Sequence, residues 1–278
     1  MLISIVTPSF RNSAWLRLCI ASVADQAGVQ VQHIIQDSQS DDGTLDWLPA
    51  DKRVKAFIEK DAGMYDAVNR GFRRAEGEIL AYLNCDEQYL PGALAAVEEA
   101  FRAAPDTDVV FADTVVVDKD GGFICCRKSL VPWENVMWVY NPVISSSIFI
   151  HKRVLARHNL YFDTKWKDLG DKMWTIEFVR RNLNMKVLRT YTSAFTDTGE
   201  NMNLKPNAIK ERQLVMDLAP AWVRRWRVAL LFAHRIRAAC RGIYTESPFR
   251  YSLYTQASPE KRVEFFVPRP TGIWRTRH

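Results

Sequence analysis

Apolar positions along the chain alternate between short unbroken runs and stretches with helical spacing. LISIVTP (2–8) reads as a fully buried strand, rich in Ile and Val and stopped by Thr-Pro. Residues 14–25 place Trp15, Leu18, Ile20 and Val23 near helical spacing, so a helix follows. VQHIIQD (31–37) and VKAFIE (54–59) predict two further strands, and MYDAVNRGFRRA (64–75) a helix with Val68 and Phe72 four apart. EILAYLN (78–84), GALAAVEEAFRAA (92–104) and DVVFAD (108–113) continue the pattern as strand, helix, strand.

Strands alternating with helices predict an α/β protein with a mostly parallel sheet and flanking helices. Ligands of such sheets bind at the carboxyl ends of the strands. Thr7, Asp37, Asp61, Asp86 and Asp113 each follow or close a predicted strand. Beyond residue 114 the pattern changes. VVVDKDGGFICC (115–126) predicts a hairpin around Asp-Gly-Gly, SSSIFIHK (145–152) a strand, 167–182 a helix and MKVLRTY (185–191) a strand. Residues 206–244 predict helix, and 245–278, rich in Pro and Arg, irregular chain.

Composition adds two constraints. Five scattered cysteines without a Cys-x-x-Cys pair fit free thiols in a reducing compartment. With no signal-peptide pattern and no run approaching the ~18–20 apolar residues of a membrane span, a cytoplasmic location is expected. The net charge of +6 is unevenly spread: residues 205–278 carry 15 Lys and Arg against 5 Asp and Glu, whereas residues 1–204 are net acidic. An anionic partner is therefore expected for the carboxyl-terminal segment.

Three segments could carry chemistry. Asp86-Glu87, beyond a buried strand, must face solvent or a cation, and Mg²⁺ or Mn²⁺ takes such carboxylates together with substrate phosphates. Taken alone, the pair reads as a solvated turn. Asp37 can accept hydrogen bonds from a base or ribose, while Asp42-Gly43-Thr44 reads as a capping turn. In residues 59–71, Asp61-Ala62-Gly63 permits an unusual turn, and Tyr65, Asp66, Asn69 and Arg70 follow on a helix whose amino terminus suits an anion.

In combination these segments resemble family 2 glycosyltransferases of the GT-A fold: TPSF (7–10), an acidic DxxSxDGT-like turn (37–44), DxGxYDAxNxG (61–71) and LNxDE (83–87) with PGAL behind it. The resemblance covers roughly residues 1–200 and is most specific in the first 95. It implies a nucleotide-sugar-binding half (1–114), an acceptor-binding half (115–204) and a divalent metal, with 205–278 as a basic helical extension. It implies donor contacts at Thr7, Pro8, Ser9, Asp37, Asp61, Gly63, Tyr65, Asn69, Arg70, Asn84 and Asp86, and metal ligation at Asp86 and Glu87. Glu87 stands where the family commonly has a second Asp, and Asn141-Pro142 with Ser145–Ser147 stands where related enzymes often have His-Gln. FDTKWKDLGD (162–171) is similar to the family's FDxxxxxxxD pattern, which maps the general base of an inverting transfer to Asp171, with Asp168 the local rival.

The expected reaction moves a sugar from a nucleoside-diphosphate sugar to a hydroxyl of a glycan or lipid-linked acceptor. Rivals are a sugar-phosphate nucleotidyltransferase, which needs a Gly-rich basic loop that TPSFRNSAW does not supply, and a non-catalytic sugar-binding relative. Nucleic acid is not expected as a partner, because the first 204 residues are acidic. In 222–244, Trp222, Trp226, Leu230, Ala233, Ile236, Cys240 and Ile243 fall near one helical face, and Arg224, Arg227, His234, Arg237 and Arg241 largely on the other. Such a helix suits either an anionic membrane surface on the cytoplasmic side or packing on the catalytic domain.

Overall fold

A computed structural model of the chain describes residues 1–199 and 206–274, so the compositional boundary at 204/205 lies outside the described residues. The first part alternates as the periodicity predicts: β1 (Leu2–Ser9), α1 (Ser13–Ala24), β2 (Gln30–Asp37), β3 (Lys55–Ile58), α2 (Met64–Arg74), β4 (Ile79–Tyr82), the short β5 (Gln88–Tyr89) and α3 (Ala93–Arg102). The hairpin of β6 (Val109–Asp118) and β7 (Phe123–Arg127) follows, then α4 (Glu134–Val139), β8 (Ile148–His151), α5 (Arg153–His158), α6 (Gly170–Arg180) and β9 (Met185–Asp197). The remainder is α7 (Pro206–Leu218), α8 (Ala221–Arg225), α9 (Arg227–Cys240), β10 (Phe249–Thr255) and β11 (Ser258–Val267).

One mixed sheet runs in the order β3-β2-β1-β4-β8-β6-β9-β5, with β7 paired to β6. The long ladders β1–β2 and β6–β9 are parallel, whereas β8, β7 and β5 are antiparallel to their neighbours. Both faces are covered, which is why the strands read as unbroken apolar runs. Ile3 and Ile5 of β1 pack toward α1 and α3, and Val6 packs toward α2 and α6. Pairing of Ser9 with Asp37, and of Leu83 N–H with the Val6 carbonyl at 3.0 Å, brings the ends of β1, β2 and β4 to one edge.

Three expectations are corrected. Asp113 does not close its strand; it sits at a bulge inside β6 and binds Arg189 at 2.8 Å. Residues 249–267 are not irregular but form the hairpin β10–β11, which buries Tyr251, Leu253 and Val267 against Val115, Val117 and Ala194. The alternation was present; its turn, Gln256-Ala257, lacks the Gly or Asn that usually marks a hairpin. Lastly, the basic helix breaks at Trp226, and the side it buries carries His234 and Ala238, not the predicted apolar stripe. Arg237 belongs to the packed side because its guanidinium donates to the Val131 carbonyl (3.0 Å) and lies over the Trp133 ring. Trp222, Trp226, Phe232 and Ile236 are left exposed.

Candidate active site

The edge formed by the ends of β1, β2 and β4 carries most of the predicted site residues. Asp37 is fully buried, and its carboxylate accepts from the Ser9 hydroxyl, the Ser40 hydroxyl and the Ser40 amide, each at 2.8 Å. It therefore ties the end of β1 to the loop after β2. Thr7 turns its hydroxyl to the buried His33 (2.9 Å), whose pKa burial lowers to about 3, so His33 is a neutral structural group. Pro8 is buried beside them. Asp42 caps Thr44 and the Ser13 amide, as its capping reading predicts.

Asp61 accepts from the Gly63 amide at 2.8 Å, and Gly63, at φ 121°, holds a backbone conformation that favours glycine. Arg70 is bound to Asp66 at 2.8 Å and donates to the Lys60 carbonyl. Asn69 is spent on structure: its amide donates to the Phe162 carbonyl (2.8 Å) and accepts from the Phe162 amide (2.9 Å). That pair pins the segment before α6 onto α2.

Asn84, Asp86 and Glu87 form a polar knot with unsatisfied oxygens. Glu87 is 1% exposed; one oxygen accepts the Asn84 amide at 3.0 Å, Oε1 makes no hydrogen bond of normal geometry among the described residues, and the Ser146 hydroxyl beside the carboxylate only partly offsets its burial. The Asn84 side-chain oxygen is likewise unpartnered. Burial and the charge of Asp86 push Glu87 up to about 8, and burial raises Asp86. Two carboxylates this close, one buried with an orphaned oxygen, suit a hard divalent cation. Among the described residues no group of three or more His, Cys, Asp or Glu makes a closed metal cage, so further ligands would have to come from substrate phosphates or water.

Asp171 lies across Tyr65 from this edge. The Tyr65 ring stacks on Phe162 at 4.9 Å, and its hydroxyl accepts from the Asp171 amide at 3.2 Å. The same hydroxyl lies 3.3 Å from the Asp168 carbonyl and 3.5 Å from Asp171 Oδ1, which compete for its proton. Gly170 makes this approach possible, since a Cβ there would sit 2.6 Å from the Tyr65 ring. Burial pushes Asp171 up to about 6, with the Lys172 amide and ammonium holding it down. Asp171 and Glu87 are near enough that the first raises the second. Asp168, the rival, is engaged by the Asn207 side chain at 2.6 Å.

Two residues of this site escaped sequence reasoning. Lys172 is buried, reaches the Trp138 carbonyl at 3.2 Å and is lowered to about 8 by burial. Its signal was a lysine beside Asp171 in a helix that buries its neighbours. Glu211 of α7 accepts the amides of Lys167 (2.6 Å), Asp168 (3.0 Å) and Leu169 (2.9 Å), anchoring the entry to α6. No local pattern marks it.

The profile of Glycosyl transferase family 2 matches residues 4–142, half of the chain. The chain belongs to this family. Family 2 relatives include the putative teichuronic acid biosynthesis glycosyltransferase TuaG of Bacillus subtilis, 32% identical over 93 residues, or 32% of this chain and 37% of that protein. The PGL/p-HBAD biosynthesis glycosyltransferase Rv2957 of Mycobacterium tuberculosis is 31% identical over 119 residues, or 41% of this chain and 46% of the other. The chain spans less than half the length of these curated relatives. Among solved structures, S. aureus TarS 1–349 in complex with UDP-GlcNAc matches with a TM-score of 0.62 at 18% identity, covering 77% of this chain and 65% of that one. The mannosyltransferase PcManGT from Pyrobaculum calidifontis, in complex with GDP-Man and Mn²⁺, matches at 0.55 and 16% identity, covering 87% and 81%. At these identities the likeness establishes the glycosyltransferase fold expected for family 2.

Proposed function

We propose that this family 2 chain transfers a sugar from a nucleoside-diphosphate sugar to a hydroxyl of a glycan or lipid-linked acceptor, with inversion. The observation that carries the reading is the adjacent Asp86–Glu87 pair, Glu87 buried with an orphaned oxygen, held within electrostatic reach of Asp171. The structural relatives solved with UDP-GlcNAc and GDP-Man support a nucleotide-sugar donor. Residues 1–114 would hold the donor, 115–204 the acceptor, and 205–278 form the basic extension.

Asp171 takes the proton of the acceptor hydroxyl. As that oxygen forms its bond to the anomeric carbon, the bond to the nucleoside diphosphate breaks on the opposite face and its electron pair leaves with the phosphate. Tyr65 and Lys172 orient and tune the base. Asp86 and Glu87 would hold a divalent cation, Mn²⁺ or Mg²⁺, which supplies charge neutralisation for the leaving diphosphate. The amino terminus of α2, beginning at Gly63, offers backbone N–H groups to the same charge. The exposed face of α9, carrying Phe232 and Ile236 among arginines, would rest on the anionic cytoplasmic face of a membrane.

Calorimetry with UDP and with GDP, in Mn²⁺ and in chelator, tests the donor reading. Binding of one nucleotide should collapse with chelator and in both Asp86→Ala and Glu87→Ala. Failure of both nucleotides to bind in Mn²⁺ overturns the donor assignment, and binding indifferent to chelator removes the metal.

A further inference from the structure

A second polar-apolar site lies away from the carboxylates. A cavity of about 620 Å³ opens between the end of β7, the residues after α4, the inner side of α9 and residues 270–273. Its apolar wall includes Leu130, Leu231 and Ala238. Its polar wall is cationic: Arg127, Lys128 and Arg235. Lys128 is neutralised by Glu246 at 2.7 Å, but Arg127 has only the Tyr140 hydroxyl and ring as partners among the described residues. His234 lines the same space at 8% exposure, with its ring against Tyr140, and its Nδ1 has no hydrogen-bond partner.

A buried imidazole nitrogen with nothing to bond is costly unless a ligand completes it. A guanidinium without a carboxylate beside it selects an anion, and phosphate oxygens match its fork. The remaining wall is hydrocarbon, so an inorganic ion alone would leave most of the cavity unmatched. The location also favours an amphiphile, because α9 turns Leu231, His234 and Ala238 inward and Phe232 and Ile236 outward. Tyr140 follows α4, whose Trp138 carbonyl receives the Lys172 ammonium, so the cavity adjoins the wall of the Asp171 site.

We propose that this cavity binds an amphiphilic phosphate, its phosphate between Arg127 and His234 and its hydrocarbon along Leu130, Leu231 and Ala238, as the lipid-phosphate part of the acceptor. The word acceptor rests on the proposed transferase reading, whereas the binding does not. The test is calorimetry of the full chain with dodecyl phosphate below its micellar concentration, with dodecanol and with inorganic phosphate. Dodecyl phosphate should bind at least ~10-fold more tightly than either half-ligand, and Arg127→Gln and His234→Leu should each weaken it ~10-fold. Ala238→Trp, which fills the cavity, should abolish it, and the far-UV circular dichroism and thermal unfolding of each variant report that the fold is intact. Inorganic phosphate binding as tightly as the amphiphile, or dodecyl phosphate binding unchanged in Ala238→Trp and Arg127→Gln, would overturn the proposal. Wild-type protein that takes up dodecyl phosphate at this cavity but binds neither UDP nor GDP would sink the transferase reading and leave the site standing.

Discussion

Asp171 is raised from an ordinary 3.8 to about 6 because the entry of α6 buries it beneath Tyr65. The charged and titratable groups around it are Lys172 on its own helix, Tyr65 on α2, Tyr82 on β4, and Glu87 beyond β4. A carboxyl with a raised folded pKa binds its proton more tightly folded than unfolded, so its contribution to stability declines as pH rises from about 4 to about 6. Activity runs the other way, since a base must be ionised: at saturating donor, turnover should rise with pH through a limb near 6. Asp171→Asn should lower turnover by about 10²–10⁴-fold, abolish that limb and leave nucleotide affinity unchanged. Lys172→Met removes a charge that holds Asp171 down, so the limb should move to higher pH. Near-normal turnover in Asp171→Asn, with a large loss in Asp168→Asn, would transfer the role to Asp168.

At the level of elements, the entry to α6 depends on α7. The helix starts after Leu169 without a side-chain cap of its own, and the buried carboxylate of Glu211 collects three successive amides there. Successive amides converging on one carboxylate make a charge-assisted nest. Glu211→Ala leaves these partly buried donors without their acceptor, and an unpaired buried group costs ~1–3 kcal/mol, so a loss of about 1–3 kcal/mol is expected in urea unfolding. Turnover should fall further than nucleotide affinity, because the disturbed loop leads into the first turn of α6 and Asp171, not into the ends of β1 and β4. A loss below ~1 kcal/mol would mean that water replaces the carboxylate.

Across the whole molecule, the carboxyl-terminal quarter both completes the core and presents an outer surface. Val215, Ala219 and Val223 pack with Trp138 and Ile176, and the β10–β11 hairpin covers β6 and β9. Cutting the chain near Pro206 would therefore strip core as well as tail, and point substitutions on α9 give the cleaner test. Trp226, Phe232 and Ile236 are 58%, 65% and 50% exposed, so replacing all three by Ser should leave thermal stability nearly unchanged. Co-sedimentation with anionic vesicles should be lost in that variant and weakened by 1 M salt in the wild type, where the Debye length is about 3 Å. Each engaged Lys or Arg is worth about 1 kcal/mol at such a surface. Equal sedimentation of wild type and variant, or no preference over neutral vesicles, would reduce α9 to a packing element.

The strands and helices of residues 2–113 were legible because a parallel sheet buried on both faces demands unbroken Ile and Val runs, and its helices demand apolar stripes. The acidic strand ends were legible for a similar local reason, and the order of four short motifs pointed to the family. Sequence alone did not tell which of these groups also bond inside the protein. Asp37 accepts three hydrogen bonds from Ser9 and Ser40, and Asn69 pairs with Phe162 across 93 residues of chain. Nor did it indicate Glu211, whose amide partners lie 42 to 44 residues away, or the inward turn of His234. Periodicity records which face of an element is apolar, a property of neighbours three or four residues apart. Which polar group meets which is settled by contacts between distant segments, and these exist only once the chain has packed.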